Sequence, residues 1–347
     1  MGCTMLNDKV ILVTGGTGSF GQKFIEILLK NYNLGKIIVL SRDEFKQYQM
    51  AKRFPARKYP IRYFLGDIRD KDRLFRAFEG VDYVVHAAAL KQVPALEYNP
   101  TEAVKTNVLG ADNIVDAAID TGVEKVIALS TDKAVNPINL YGATKLVAEK
   151  IFIAANAYAG GRVKFAAVRY GNVVGSRGSI IPLLLSLKEQ GVKEVPITDL
   201  RMTRFWITLE QAVELVMKAL KESEGGEIFV PKIPSMKISD LATAIDPNFK
   251  LKTIGIRPGE KIHETLVSED EARATKIFDG IYVILPQFLG KEAHKKYEKC
   301  PSVAEGFVYR SDTNDTWVTP EDLERMINQK ETAPVSVEAA GQTASQV

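Results

Sequence analysis

The sequence is poor in cysteine and histidine, with two cysteines (Cys3 and Cys300) and three histidines among 347 residues. Two cysteines cannot build a disulfide framework, and neither they nor the scattered histidines have the spacing of metal ligands. We therefore expect no metal site and predict a reducing, cytoplasmic location. Apolar runs no longer than a strand argue against a membrane-spanning helix, and we expect no signal peptide at the start.

Neither sign of charge dominates, because the sequence contains 46 Lys and Arg and 43 Asp and Glu, which gives a net charge of +3. That excess is too small for a nucleic-acid-binding surface, so we expect neither nucleic acid nor a membrane as a partner. Hydrophobic residues make up 46% and charged residues 26%, as in ordinary globular proteins. The composition fits a protein that binds small anions at a few chosen points.

Short apolar runs rich in β-branched residues alternate with helical stretches. Near-continuous apolar strands are typical of a parallel sheet that is buried on both faces. The alternation predicts an α/β fold with a doubly wound parallel sheet of the Rossmann type. The predicted strands cover residues 9–14, 36–41, 61–65, 82–86, 125–130, 164–169 and 226–230.

After residue 172 the pattern loosens, which predicts a smaller α/β lobe over the carboxyl edge of the sheet. We assign residues 8–176 and 206–231 to a dinucleotide-binding domain, and residues 177–205 and 232–330 to a substrate-binding lobe. Residues 331–347 lack hydrophobic periodicity and are predicted to be a disordered tail.

The first predicted strand ends in a glycine-rich turn, in which Gly15, Gly18 and Gly21 have the spacing G-x-x-G-x-x-G. Glycine allows the sharp turn into a helix and lets the backbone approach a pyrophosphate. The free N–H groups of the helix then face the phosphates. The motif therefore predicts a dinucleotide site.

The end of the second strand bears on the choice of cofactor, because an acid there would select NAD. Ser41 and Arg42 occupy that place with Lys46 nearby, which favours the 2′-phosphate of NADP, although Asp43 or Glu44 could still contact a ribose. The residues that we expect to contact the cofactor are Gly15, Thr17, Gly18, Ser19, Phe20, Gly21, Ser41, Arg42, Lys46, Asp67, Ile68, Ala87, Ala88, Ala89, Tyr141 and Lys145.

A second cluster follows the fifth strand, where Thr131, Asp132 and Lys133 precede Tyr141 and Lys145. The tyrosine and Lys145 are four residues apart and share one face of a predicted helix. A nearby ammonium favours the phenolate, so we expect the pKa of Tyr141 to be lowered towards working pH.

These motifs resemble the extended short-chain dehydrogenase/reductase family over about residues 8–320. Within it, Asp132-Lys133 followed by Ala134-Val-Asn-Pro137 is similar to the inverting UDP-N-acetylglucosamine 4,6-dehydratases, which begin pseudaminic acid synthesis. The resemblance implies a hydro-lyase that oxidises C4, eliminates water across C5 and C6, and inverts C5. NADP is regenerated in each cycle.

The resemblance also implies roles for the second cluster: Tyr141 takes the proton of the 4-hydroxyl, Lys133 is the base at C5, and Asp132 is the acid at C6. Lys133 must then be neutral and Asp132 protonated, the reverse of their free preferences. Burial favours both states, and we expect cationic Lys145 to lower the pKa of Lys133 further.

A UDP-sugar requires groups for its diphosphate and uridine, and family motifs imply where they are. The expected substrate-binding residues are Lys91, Asn172, Arg177, Thr198, Arg204, Arg257 and Glu260. Relatives imply a homo-oligomer, a dimer or a hexamer. Two alternatives remain open: a UDP-sugar 4-epimerase, which lacks the acid/base pair, and a non-catalytic NADP-binding regulator.

Overall fold

A computed structural model describes residues 4–176, 179–289 and 295–328. The predicted tail at residues 331–347 lies outside these ranges, as does Arg177. No helix within them combines the length and the apolar character that crossing a lipid bilayer requires.

The described chain alternates strands and helices over most of its length. The strands are β1 (Val10–Thr14), β2 (Lys36–Ser41), β3 (Ile61–Leu65), β4 (Tyr83–His86), β5 (Lys125–Leu129), β6 (Lys164–Val168), β7 (Asn172–Val173), β8 (Glu194–Ile197), β9 (Thr203–Ile207), β10 (Ile228–Val230), β11 (Ser235–Lys237), β12 (Lys250–Thr253), β13 (Thr265–Val267), β14 (Thr275–Phe278), β15 (Ile281–Ile284) and β16 (Tyr309–Arg310). The α-helices are α1 (Ser19–Asn31), α2 (Glu44–Arg53), α3 (Lys71–Phe78), α4 (Val93–Tyr98), α5 (Pro100–Ala103), α6 (Gly110–Thr121), α7 (Leu140–Tyr158), α8 (Ile180–Glu189), α9 (Leu209–Glu222), α10 (Ile238–Ile245), α11 (Glu269–Ala272) and α12 (Pro320–Asn328).

Nine strands form one large sheet in the order β14-β15-β10-β6-β5-β4-β1-β2-β3. The seven strands from β10 to β3 are parallel, whereas β15 and β14 pair antiparallel at one edge. The order reverses between β1 and β4, the switch point at which doubly wound sheets bind ligands. The predicted α/β architecture and all seven predicted strands are confirmed.

Helices cover both faces of the sheet, each over its own hydrophobic cluster. Phe24 and Leu28 of α1 pack with Val213 and Val216 of α9 on one face. Helices α3, α6 and α7 cover the other face, as with Phe152 of α7. This burial explains the near-continuous apolar sequences of the strands.

A third hydrophobic cluster lies outside the large sheet, built from α8, α10, β8 and neighbouring segments around the buried Trp206. Strands β8 and β12 pair parallel beside it. One detail of the predicted division is wrong: residues 275–284, which we assigned to the lobe, form β14 and β15 and extend the large sheet. They do so because β15 pairs antiparallel with β10 and needs no crossover helix.

Candidate active site

A cavity of about 820 Å³ runs along the carboxyl edge of the sheet, from the glycine-rich turn to the segment 257–260. With one exception, every predicted site residue in the described ranges lines it. Those residues are Gly15, Thr17, Gly18, Ser19, Phe20, Gly21, Ser41, Arg42, Lys46, Asp67, Ile68, Ala87, Ala88, Ala89, Lys91, Thr131, Lys133, Tyr141, Lys145, Asn172, Thr198, Arg204, Arg257 and Glu260. The exception is Asp132, which is fully buried behind the wall.

The glycine-rich turn is shaped by two close backbone approaches. Gly15 has φ +64°, and a Cβ there would lie 2.9 Å from the Cα and N of Ala88. A Cβ on Gly21 would lie 2.5 Å from the Cα of Gly16. Only glycine fits either place, so the turn can bring its backbone and the start of α1 against a pyrophosphate. The residues present therefore fit a dinucleotide.

Two arginines surround the carboxylate of Asp67, another residue of the cavity lining. Arg69 donates to Asp67 through Nε at 3.0 Å and Nη2 at 2.8 Å, while Nη1 of Arg42 lies 3.7 Å away. Burial raises the pKa of Asp67, but the hydrogen bonds from Arg69 outweigh it and hold that pKa below its ordinary value. The Arg42 side chain is 54% exposed, so its guanidinium can reach a phosphate at the cavity mouth.

Helix α7 carries the tyrosine and lysine into the cavity. Asn139 caps it by accepting a hydrogen bond from the Gly142 N–H at 2.7 Å. Lys145 Nζ donates to the carbonyl of Leu129 at 2.7 Å, and burial lowers the pKa of this lysine to about 8.

The expected lowering of the Tyr141 pKa is wrong for this arrangement. Burial raises the pKa of the phenol, and the opposing effects of the Lys133 charge and a hydrogen bond with Thr131 do not cancel it. The cation that acts on this tyrosine is Lys133, which sequence spacing did not suggest.

Thr131, Asp132 and Lys133 form a connected group at the end of β5. Thr131 Oγ1 donates to Asp132 Oδ1 at 2.9 Å, and Lys133 Nζ donates to the same oxygen at 3.0 Å. Burial raises the pKa of Asp132, in the direction that an acid requires. Its Oδ2 accepts no hydrogen bond from any described residue.

The expected lowering of the Lys133 pKa is also wrong in this arrangement. Burial does lower it, but the carboxylates of Asp132 and Glu264 together raise it above its ordinary value. Glu264 Oε1 lies 3.4 Å from Lys133 Nζ. The cation that opposes the two carboxylates is Arg204.

Glu264 is the site residue that the sequence analysis missed. Its side chain is almost completely buried, lines the cavity, and faces Lys133, Arg204 and Lys261. The glutamate immediately precedes the three-residue strand β13, in a stretch without hydrophobic periodicity. No motif in the sequence indicates that this position meets Lys133, which is 131 residues earlier.

Among the predicted substrate-binding residues, Asn172 contacts the predicted catalytic residues, because its Oδ1 lies 3.4 Å from Lys133 Nζ. Arg257 is exposed, with Nη1 4.0 Å from Glu260 Oε1. Both residues flank Gly259, whose carbonyl accepts from the Nδ2 of Asn139 at 2.7 Å. The segment is thereby fixed to the start of α7.

The guanidinium of Arg204 reaches the wall, but backbone and sulfur acceptors hold its terminal nitrogens. Nη1 donates to the carbonyls of Thr203 and Ile262, at 2.7 and 3.0 Å. Nη2 donates to the carbonyl of Lys261 at 2.8 Å and to Met202 Sδ at 3.5 Å. In this arrangement Arg204 has no free pair of donors for a bidentate phosphate contact, which was its expected role.

Comparison with known proteins gives a consistent family relationship. Residues 11–286 match the polysaccharide biosynthesis protein family. The chain is 53% identical to an inverting UDP-N-acetylglucosamine 4,6-dehydratase of Campylobacter jejuni subsp. jejuni serotype O:2, over 94% of this chain and 99% of the relative. It is 44% identical to a UDP-glucose 4-epimerase of Rickettsia akari, over 81% and 84% of the two chains.

Two solved structures share the fold. Pen from Bacillus thuringiensis superposes with a TM-score of 0.86 at 38% identity, covering 94% of this chain and 99% of that chain. The dTDP-glucose 4,6-dehydratase DesIV from Streptomyces venezuelae, solved with NAD bound, gives a TM-score of 0.66 at 20% identity and covers 93% and 97%. The second likeness supports the fold alone, and that fold holds a nicotinamide dinucleotide.

Proposed function

The chain belongs to the polysaccharide biosynthesis protein family and has the fold of the extended short-chain dehydrogenases/reductases. From this premise we propose that it is an inverting UDP-N-acetylglucosamine 4,6-dehydratase, a hydro-lyase. Its product would be UDP-2-acetamido-2,6-dideoxy-L-arabino-hex-4-ulose, an entry point to pseudaminic acid. The observation that carries the proposal is the contact of Lys133 with Asp132 beside Thr131 and Tyr141, on a cavity with a dinucleotide cradle.

We assign NADP to this cradle, with the adenosine phosphate near Arg42 and Lys46. When bound, the nicotinamide supplies a reversible hydride acceptor for the sugar carbon. The start of α1 contributes backbone N–H groups to the pyrophosphate, and Gly15 and Gly21 leave the room for it. Lys145 holds the nicotinamide ribose.

Tyr141 removes the proton of the 4-hydroxyl while C4 is oxidised. Burial alone would keep the phenol protonated, so Tyr141 first loses its proton to solvent. The Lys133 ammonium and the Thr131 hydroxyl stabilise the phenolate that then accepts the sugar proton. The resulting 4-ketone acidifies the hydrogen on C5, which prepares the elimination.

Elimination then needs a base at C5 and an acid for the departing 6-hydroxyl. Lys133 lines the cavity and acts as the base in its neutral form, after its ammonium has lost a proton to solvent. Asp132 is the acid, and its raised pKa keeps its proton available. Because Asp132 lies behind the wall, the Thr131 hydroxyl relays the proton: its hydrogen turns from Asp132 towards the cavity, leaves with the 6-hydroxyl, and is replaced by the proton of Asp132, 2.9 Å away.

The UDP moiety occupies the other end of the cavity. Arg257 and Glu260 contact the nucleotide, and the Nδ2 of Asn172 donates to a diphosphate oxygen next to Lys133. Thr198 and Lys91 line the sugar end, whereas Arg204 shapes the site through the carbonyls that it holds.

The protein is also proposed to be a cytoplasmic homo-oligomer, a dimer or a hexamer. Large apolar side chains stand exposed on its helices, with Tyr98 at 87%, Leu109 at 51% and Tyr158 at 59%. Contiguous apolar patches are typical of surfaces that a second copy covers, and we propose that these side chains contribute to one. Light scattering on the purified protein tests this, and a monomer at all concentrations would contradict it.

The decisive experiment is NMR of the product formed from UDP-N-acetylglucosamine in D2O with added NADP. We expect loss of one water, deuterium at C5 and the inverted configuration at that carbon. A C4 epimer without water loss would instead identify a 4-epimerase, and absence of turnover across UDP-sugars would indicate a non-catalytic regulator. Retained configuration at C5 would leave a dehydratase but refute inversion.

A further inference from the structure

The carboxylate of Glu264 has no role in the proposed chemistry, yet it lies beside Lys133, the proposed base. Glu264 Oε1 is 3.4 Å from Lys133 Nζ, and the glutamate is only 2% exposed. The contact joins residues that are distant in the sequence, because Lys133 follows β5 whereas Glu264 precedes β13. Burying a carboxylate is costly unless opposite charges compensate it, so its position at the cavity requires an explanation.

Three cations supply that compensation. Besides Lys133, Arg204 Nε lies 3.8 Å from Glu264 Oε1, and Lys261 Nζ lies 3.7 Å from Oε2. The pKa of Glu264 is raised by burial but lowered further by Lys133, Arg204 and Lys261, so the carboxylate stays ionised. Asp132 is the other acid that faces Lys133, at 3.0 Å.

Arg204 and Lys261 also donate to backbone carbonyls, whereas the Lys133 ammonium contacts side chains. Arg204 is fixed by the carbonyls of Ile262 and Lys261, and Lys261 donates to the carbonyl of Val135. Lys133 is anchored only by side chains among the described residues, namely Asp132, Asn172 and Glu264. Glu264 therefore shares with Asp132, the nearer carboxylate, the control of where the Lys133 amine sits and which charge it carries.

We propose that Glu264 is a positioning residue that holds the Lys133 ammonium over the cavity and sets the pH at which Lys133 becomes a base. The inference rests on the proposed dehydratase function. Glu264 itself needs no contact with the substrate for this role. When the Lys133 ammonium gives a proton to solvent water, an N–H bond breaks and the neutral amine remains, which is the form that accepts the C5 proton.

The test is the pH profile of kcat for water loss in Glu264→Gln. Removing the negative charge makes the ammonium less favourable and lowers the pKa of Lys133. The acid limb of the profile should therefore move to lower pH, by about 1 to 3 units for an opposite charge at this distance. Glu264→Asp keeps the charge on a shorter side chain, so its acid limb should lie between those of the glutamine variant and the wild type.

Glu271→Gln is the matched control. Glu271 also pairs with a buried cation, Arg169, at 2.8 Å, but it does not line the cavity. Its acid limb should coincide with that of the wild type.

A Glu264→Gln profile that superimposes on the wild-type profile would overturn the inference, even if the rate fell. If this variant does not fold, an unshifted limb in Glu264→Asp overturns it. The wild-type enzyme separates the two proposals: without water loss from UDP-N-acetylglucosamine the function is wrong, whereas water loss with unshifted variants refutes only the role of Glu264.

Discussion

Replacing Lys133 by methionine removes one charge from a buried cluster while keeping most of the side-chain length. The ammonium lies 3.0 Å from Asp132 Oδ1 and 3.4 Å from Glu264 Oε1. We expect two separable effects. Water loss should fall by about 100- to 10,000-fold, the usual contribution of a general base, and stability should become dependent on pH.

The stability effect can be estimated from the distances. Two unit charges 3.4 Å apart interact by about 5 kcal/mol at an effective dielectric constant of about 20. Arg204 and Lys261 still face Glu264 in the variant, at 3.8 and 3.7 Å, and compensate most of this loss. We expect a decrease in unfolding free energy of about 1–3 kcal/mol at pH 8, less than the cost of a lone buried charge.

The sign of the pH dependence follows from the carboxyls. Without Lys133, the folded-state pKa of Glu264 rises relative to the wild type. In the wild type the folded-state pKa of Glu264 lies below its ordinary value, so the stability that its charge contributes is present at neutral pH and is lost as pH falls through that folded-state pKa. The stability difference between variant and wild type should therefore be full at pH 8 and smaller at pH 3.5, below the ordinary carboxyl pKa of about 4.

Urea unfolding at pH 3.5 and pH 8, together with the rate of water loss, checks both effects. Lys133→Arg is the matched control, because arginine keeps the positive charge but cannot act as a base near neutral pH. It should lose activity yet keep the wild-type pH dependence of stability. Water loss at the wild-type rate in Lys133→Met would refute the base assignment, and an equal stability deficit at both pH values would refute the charge coupling.

Three further variants test other parts of the site and fold. Gly21→Ala puts a Cβ 2.5 Å from the backbone of Gly16, so NADP affinity measured by calorimetry should fall at least about tenfold. Gly122→Ala is also strained, at φ +75°, but it lies outside the cavity lining and should bind NADP normally. Arg42→Ala should weaken NADP by about 10- to 100-fold and leave NAD unchanged, and equal effects on both cofactors would contradict the phosphate contact. Arg169→Met leaves two carboxylates without their buried partner and should lower the unfolding free energy by about 3–5 kcal/mol in urea titrations, while a loss below about 1 kcal/mol would show that the network is not stabilising.

The strands of the large sheet and the glycine-rich turn are predictable from the sequence, because each is determined by a local pattern of residues. The parallel strands are buried on both faces, so their apolar runs are visible without knowledge of their neighbours. The glycine-rich turn is equally local, because the φ of Gly15 and the close packing of Gly21 arise within the first strand–helix unit.

The remaining features depend on contacts between distant segments. Glu264 meets Lys133 only because β13 and the end of β5 converge, and that convergence reverses the expected pKa shift of the lysine. The carbonyls that occupy Arg204 likewise come from residues 261 and 262. A motif identifies Arg204 but cannot show that its donors are already used.

The hydrophobic cluster around Trp206 has a consequence for how such a site can diversify. It is a separate packing unit from the two clusters that flank the large sheet, yet its members Met202 and Ile238 also line the cavity. Because substitutions in separate packing units combine nearly additively, this unit can be remodelled without disturbing the glycine-rich turn. Sugar preference can thus evolve as a module, while the dinucleotide half is inherited unchanged.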